Sequence, residues 1–114
     1  MKFNQFEEIL VYQKSERLTI EIYKIFRNCN DFGFRNQIQR ASVSISNNIA
    51  EGFERKGNKE FKQFLFISKG SCGETRSMLR LALCLKYISK KDFETLHPFS
   101  VEISKMLSGL IKVL

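Results

Sequence analysis

From Phe34 to Gly52 the chain sets apolar or small residues at Phe34, Ile38, Ala41, Ile45, Ile49 and Gly52, in steps of four and three. An α-helix completes a turn in about 3.6 residues, so this rhythm draws all six into one stripe along a helix. A stripe of this kind is buried only against other helices. Beside it runs a second, polar stripe of Gln37, Arg40, Ser44, Asn47, Asn48 and Glu51. Burying such groups without partners costs about 1–3 kcal/mol each. They are therefore expected to form a hydrogen-bonded network that fixes helix register or subunit contacts, or to line a polar pocket. This stretch is the second helix of a bundle, predicted over residues 34–55.

Three more helices follow from the same periodicity. The first is predicted over residues 6–27, with Val11, Leu18, Ile22 and Ile25 on its core side. Glu7 and Glu8 at its start and Lys24 and Arg27 at its end complement the helix dipole. A break at Asn28–Gly33 supplies Asp31 as N-cap for helix two. The third helix is predicted over 59–86, after a left-handed Gly57, with Asn58 as its cap. Phe61, Leu65, Ser68, Cys72, Thr75, Leu79, Ala82 and Leu83 form its core seam, while Phe66, Ile67, Met78, Leu81 and Leu85 point elsewhere. A helix apolar on more than one side is covered on more than one side, which predicts an oligomer. Gly70 and Gly73, inside this helix, are read as small residues that let a neighbouring helix come close. The fourth helix is predicted over 90–114, capped by Ser89, with Pro98 bending or restarting it. Leu110 and Leu114 are expected to dock. The predicted class is all-α: an antiparallel up-and-down four-helix bundle, one domain over residues 1–114.

A chain of 114 residues carrying a net charge of +7 attracts polyanions such as RNA, DNA or an anionic surface. The cations are not scattered. Lys62, Lys69, Arg76 and Arg80 step by seven, seven and four along helix three, flanking its core seam. Arg55, Lys56 and Lys59 continue the positive charge at its start, and Glu74 is the only acid between Phe61 and Lys91. This stripe is the predicted phosphate-binding surface; the alternative is a solvated face that merely keeps the protein soluble.

Other chemistries find little support. The single histidine, His97, is far in sequence from any candidate nucleophile, and no di-iron, EF-hand, P-loop or dinucleotide motif occurs. Cys29, Cys72 and Cys84 follow no disulfide or zinc spacing and are expected as free thiols. No enzyme activity, metal or cofactor is expected. A signal-like apolar start and a run of about 18 apolar residues are both lacking, so no membrane association and a cytoplasmic location are expected.

The segments Gln37-Ile38-Gln39-Arg40-Ala41, Ser44-Ile45 and Asn47-Asn48-Ile49-Ala50-Glu51-Gly52 resemble the signature of the four-helix-bundle proteins encoded in 23S rRNA intervening sequences. Glu60-Phe61, Phe64-Leu65, Lys69-Gly70-Ser71, Glu74 and the opening Leu10-Val11-Tyr12-Gln13-Lys14 fit the same pattern. Ser46 departs from it where proline is expected, and Ser15 where alanine is usual. Accessory proteins of diversity-generating retroelements are more distantly similar. The resemblance implies antiparallel bundles that assemble into ring-shaped homo-oligomers, typically homopentamers, and an association with ribosomal RNA. Two functions remain open on the residues: a non-enzymatic RNA- or nucleic-acid-binding bundle, and a protein-binding adaptor or scaffold whose charge is incidental.

Overall fold

The computed structural model describes residues 3–114; Met1 and Lys2, included in the predicted domain, lie outside the described residues. A short 3-10 turn, Phe6–Glu8, precedes four helices: α1 (Leu10–Ile25), α2 (Phe32–Phe53), α3 (Gly57–Cys84) and α4 (Lys90–Val113). Packing runs α1 on α2, α2 on α3, α3 on α4 and α4 back on α1, with the diagonal pairs apart. Paired residues show the direction. Ser44 meets Ser71, Ile45 meets Ser68, and Gln37 meets Glu74, so one number falls as the other rises. The predicted antiparallel bundle is what the chain forms.

All six residues of the α2 stripe are buried, as are Val11, Leu18 and Ile22 of α1 and Leu96, Ile103, Leu107 and Leu110 of α4. Leu114 is half-buried against this core. The two serines that depart from the family pattern, Ser15 and Ser46, are buried too, and each hydroxyl donates to a carbonyl of its own helix, Val11 and Val43 respectively. Ser42 and Ser100 do the same, to Gln39 and His97. A serine closed on its own helix backbone serves as a small core residue without an unpaired hydroxyl. Ser68 instead crosses between helices, donating to the Ile45 carbonyl at 2.7 Å. It fixes the α2–α3 register for about 1 kcal/mol.

The ends of the bundle are tied by specific caps. Asp31 accepts from the Phe34 N–H with one carboxylate oxygen and from the Tyr87 hydroxyl, at 2.8 Å, with the other. Both bonds stabilise the anion and hold the Asp31 carboxyl below its ordinary pKa. α3 closes in a Schellman turn: Tyr87 N–H bonds the Ala82 carbonyl and Lys86 N–H that of Leu83, with Lys86 left-handed at φ 62°.

Several expectations are corrected. Helix one is interrupted at Ile9, whose extended backbone buries its side chain, so Glu7 and Glu8 belong to the 3-10 turn and not to the first turn of α1. α2 ends at Phe53, two residues early. Gly57 is left-handed, φ 80°, but it opens α3; Lys56 holds the N-cap position without a side-chain bond, and Asn58 sits within the first turn. Met78 is buried instead of pointing away. α4 runs unbroken through Pro98: the proline and Glu94, the residue whose carbonyl it deprives of a partner, are both exposed, so water can satisfy that group. Gly70 and Gly73 pack against nothing in the chain, since a Cβ at either meets no atom within 4 Å.

The glycine that does permit close approach is Gly52. A Cβ there would lie 2.5 Å from the Phe64 Cβ and 3.3 Å from the Phe61 carbonyl. We expect Gly52→Ala to destabilise the protein by about 1–3 kcal/mol, because backbone and a Cβ cannot swing aside. Gly109→Ala, in open space within α4, should instead stabilise by up to about 1 kcal/mol. Urea midpoints of the two variants should move in opposite directions, and movement the same way contradicts this packing.

Candidate nucleic-acid interface

Cys72 identifies the edge of α3 that carries the cations. Its thiol is fully buried and donates to the Ser100 carbonyl of α4 at 3.2 Å. Burial pushes this thiol up to about 11 against the opposing pull of Arg76, leaving it a protonated core group. Arg76 follows one turn later on the α4 side, and Lys62 and Lys69 precede it on the same side by helix register. Lys62, Lys69 and Arg76 are half-buried and Arg80 is exposed. The predicted stripe thus borders the outer groove between α3 and α4.

No ion pair among the described residues engages it. Ion pairs among the described residues join Lys14 to Glu102 at 3.1 Å, Lys24 to Glu21 at 3.4 Å and Arg55 to Glu51 at 3.3 Å. None involves Lys62, Lys69, Arg76 or Arg80. On the groove's other wall stands His97, whose ring stacks on Phe93 with centroids 4.9 Å apart. Burial first, then Arg76 and Arg80, lower its pKa below the ordinary histidine value, and no hydroxyl or thiol bond contributes. The groove therefore presents four cations with no ion-pair partner among the described residues, and a histidine whose pKa is lowered by burial and then by two of those cations.

The remaining predicted cations lie differently. Arg55 is committed to Glu51 and also covers the Phe64 ring at 4.9 Å. Lys56 and Lys59 are exposed at the start of α3. His97 escaped the sequence reading because nothing in the sequence fixes the α3–α4 register that sets it opposite Arg76.

The polar stripe of α2 is not the buried network expected. Gln37, Arg40, Asn47 and Glu51 are exposed, because the stripe sits on the outer flank of the α2–α3 contact. Only its middle is half-buried: Asn48 donates to the Ser44 carbonyl and hydroxyl at 2.8 and 2.9 Å, and Ser71 of α3 donates to the same hydroxyl at 2.9 Å. Gln37 reaches Glu74 at 3.3 Å. Arg40 borders a shallow surface dip with Tyr23, Asn36 and Gln39. No three metal-ligating side chains converge among the described residues, and no described helix is long and apolar enough to cross a membrane.

The lowered pKa of His97 has a thermodynamic consequence. The unfolded chain, with histidine near about 6.5, binds the proton more readily than the folded one. The contribution of neutral His97 is therefore complete above about pH 6.5 and is lost as pH falls through that value toward the lower folded pKa. Urea unfolding at pH 7 and pH 5 should show a smaller loss of stability for His97→Gln than for wild type. An equal loss contradicts the placement of His97 beside Arg76 and Arg80.

This bundle has known counterparts. A protein of unknown function from the S23 ribosomal protein family of Bacteroides thetaiotaomicron superposes with a TM-score of 0.86 at 28% identity, over 90% of this chain and 99% of that one. No curated protein matches the sequence. The sequence model of the 23S rRNA-intervening sequence proteins matches residues 7–109, and the chain belongs to that family.

Proposed function

We propose that this protein is a non-enzymatic nucleic-acid-binding bundle that holds RNA phosphates in the α3–α4 groove. The observation that carries the reading is the absence of any carboxylate partner for Lys62, Lys69, Arg76 and Arg80 among the described residues. A cation already paired must give up its partner to bind a phosphate; these four need not. Their alignment along one edge suits phosphates of a backbone, so the binding proposed is sequence-tolerant. Membership of a family named for 23S rRNA intervening sequences makes structured ribosomal RNA the first ligand to try. A ring-shaped homo-oligomer, such as the homopentamer the resemblance implies, would repeat the groove into a belt of positive charge.

A second reading has its own observation. Phe66, Ile67, Leu81 and Leu85 are exposed on α3, which favours a protein-binding adaptor or scaffold. Salt separates the two. Four phosphate contacts per protomer predict affinity falling about 100-fold between roughly 50 and 200 mM salt, whereas an apolar protein interface should barely respond.

The test is binding to a structured ribosomal RNA fragment across a salt series, by wild type and by a variant with Lys62, Lys69, Arg76 and Arg80 all changed to Gln. We expect steep salt dependence for wild type and loss of most binding for the variant, with helix content unchanged. Wild type that ignores RNA at low salt, or a variant that binds as well, removes this function.

A further inference from the structure

The cationic edge of α3 is interrupted by one ring. Lys62, Phe66, Lys69, Gly73, Arg76 and Arg80 follow one another in steps of four and three, so they share one stripe of the helix. Phe66 stands between Lys62 and Lys69, one turn from each, and is 57% exposed. Two other rings are already taken up by cations: Arg35 lies over Phe32 at 4.8 Å and Arg55 over Phe64 at 4.9 Å. Phe66 lies under no cation and pairs with no other ring among the described residues. At Gly73, in the middle of the stripe, an added Cβ would meet nothing within 4 Å, so the helix backbone is bare there. By register with His97, the α4 wall of the groove continues through Val101, Ser104 and Ser108, with no carboxylate among them.

A lone exposed apolar side chain is ordinary, but a bare ring set between two lysines that form no ion pair suits one kind of ligand. We infer, resting on the nucleic-acid reading of the α3–α4 groove, that the strand it takes is unpaired RNA. One base stacks on the Phe66 ring, Lys62 and Lys69 hold phosphates on either side, and Arg76 and Arg80 hold phosphates farther along. Phosphate binding alone has no use for the ring. In a duplex the bases are paired and stacked inside, so a ring on a helix edge meets sugar and phosphate. In an unpaired strand every base has a face free to stack, and an aromatic ring gains affinity from it whatever the base. The order cation, ring, cation along α3 thus matches the order phosphate, base, phosphate along such a strand. The stripe is long enough for several nucleotides, since Lys62 to Arg80 spans about 27 Å at about 1.5 Å per residue. The missing side chain at Gly73 lets the strand lie against the helix between Lys69 and Arg76. At the Arg76 end, the stacked rings of Phe93 and His97 add a second aromatic surface. Loops and bulges of structured RNA supply strands of this kind.

The experiment is binding, by fluorescence anisotropy, of an oligouridine strand and of an RNA duplex with the same number of phosphates. The proteins are wild type, Phe66→Leu, Phe66→Tyr and the fourfold glutamine variant. Leucine keeps apolar bulk at an exposed position and removes the ring, whereas tyrosine keeps the ring. Wild type should bind the single strand more tightly than the duplex. Phe66→Leu should lose about tenfold on the single strand, with its salt slope and its duplex affinity unchanged, and Phe66→Tyr should bind as wild type does. Single-strand affinity that survives Phe66→Leu but not the fourfold glutamine variant overturns the inference and leaves the phosphate-binding groove standing. A wild type that prefers the duplex overturns it as well. So does an equal loss on strand and duplex in Phe66→Leu, because a ring that serves only packing or a protein contact acts on both. A wild type that binds neither RNA removes groove and stacking together.

Discussion

The fold depends on how closely α2 and α3 can approach. At Gly52 the α2 backbone lies against the Cβ of Phe64 with no room for a methyl group, and the seam then continues through Ser68 on Ile45 and Ser71 on Ser44. Each contact fixes the same antiparallel register, so the six-residue stripe of α2 meets the seam of α3 without a slip of one turn. α1 and α4 complete the square by apolar packing, and Asp31 and Tyr87 join the two loops at one end. Through register, this seam decides the function proposed for the surface. It orients α3 so that one edge looks to α4, one to α2, and a third side is left to solvent.

α3 is consequently a helix with three different surfaces. Its core seam is apolar, and its α4 edge carries cations that form no ion pair among the described residues. Its outer side carries exposed apolar groups around two glycines. Charge and hydrophobicity are thus sorted by angle around a single helix. The lowered pKa of His97 reports the same arrangement: burial first, then Arg76 and Arg80, disfavour its protonation, and those two guanidinium groups belong to the basic edge.

Much of this was legible in the residues. The four-and-three rhythm of α2 and α4 needs no tertiary knowledge, and Asp31 and Ser89 cap the helices the periodicity predicted. The seven-seven-four spacing of the cations likewise fixes a stripe on a helix of known phase. What escaped depends on register or on local competition. Met78 looked outward on a helical wheel but is covered by the neighbour that the wheel omits. The amides of α2 looked like a buried network because spacing cannot say how far round a helix the next one extends. Gly70 and Gly73 looked like places where a neighbouring helix comes close, yet within the chain Gly52 holds that role; a glycine's sequence context does not reveal what faces it. His97 was set aside because its meaning lies in Arg76 and Arg80, on another helix.

The central claim is the one proposed above, that the cations on the α4 edge of α3 hold RNA phosphates by charge. Light scattering of the protein–RNA complex across a salt series, with absorbance distinguishing RNA from protein, tests it directly. The account predicts that rising salt strips the RNA, as salt cations take the place of the lysines and arginines on its phosphates. RNA that stays bound at high salt would contradict it.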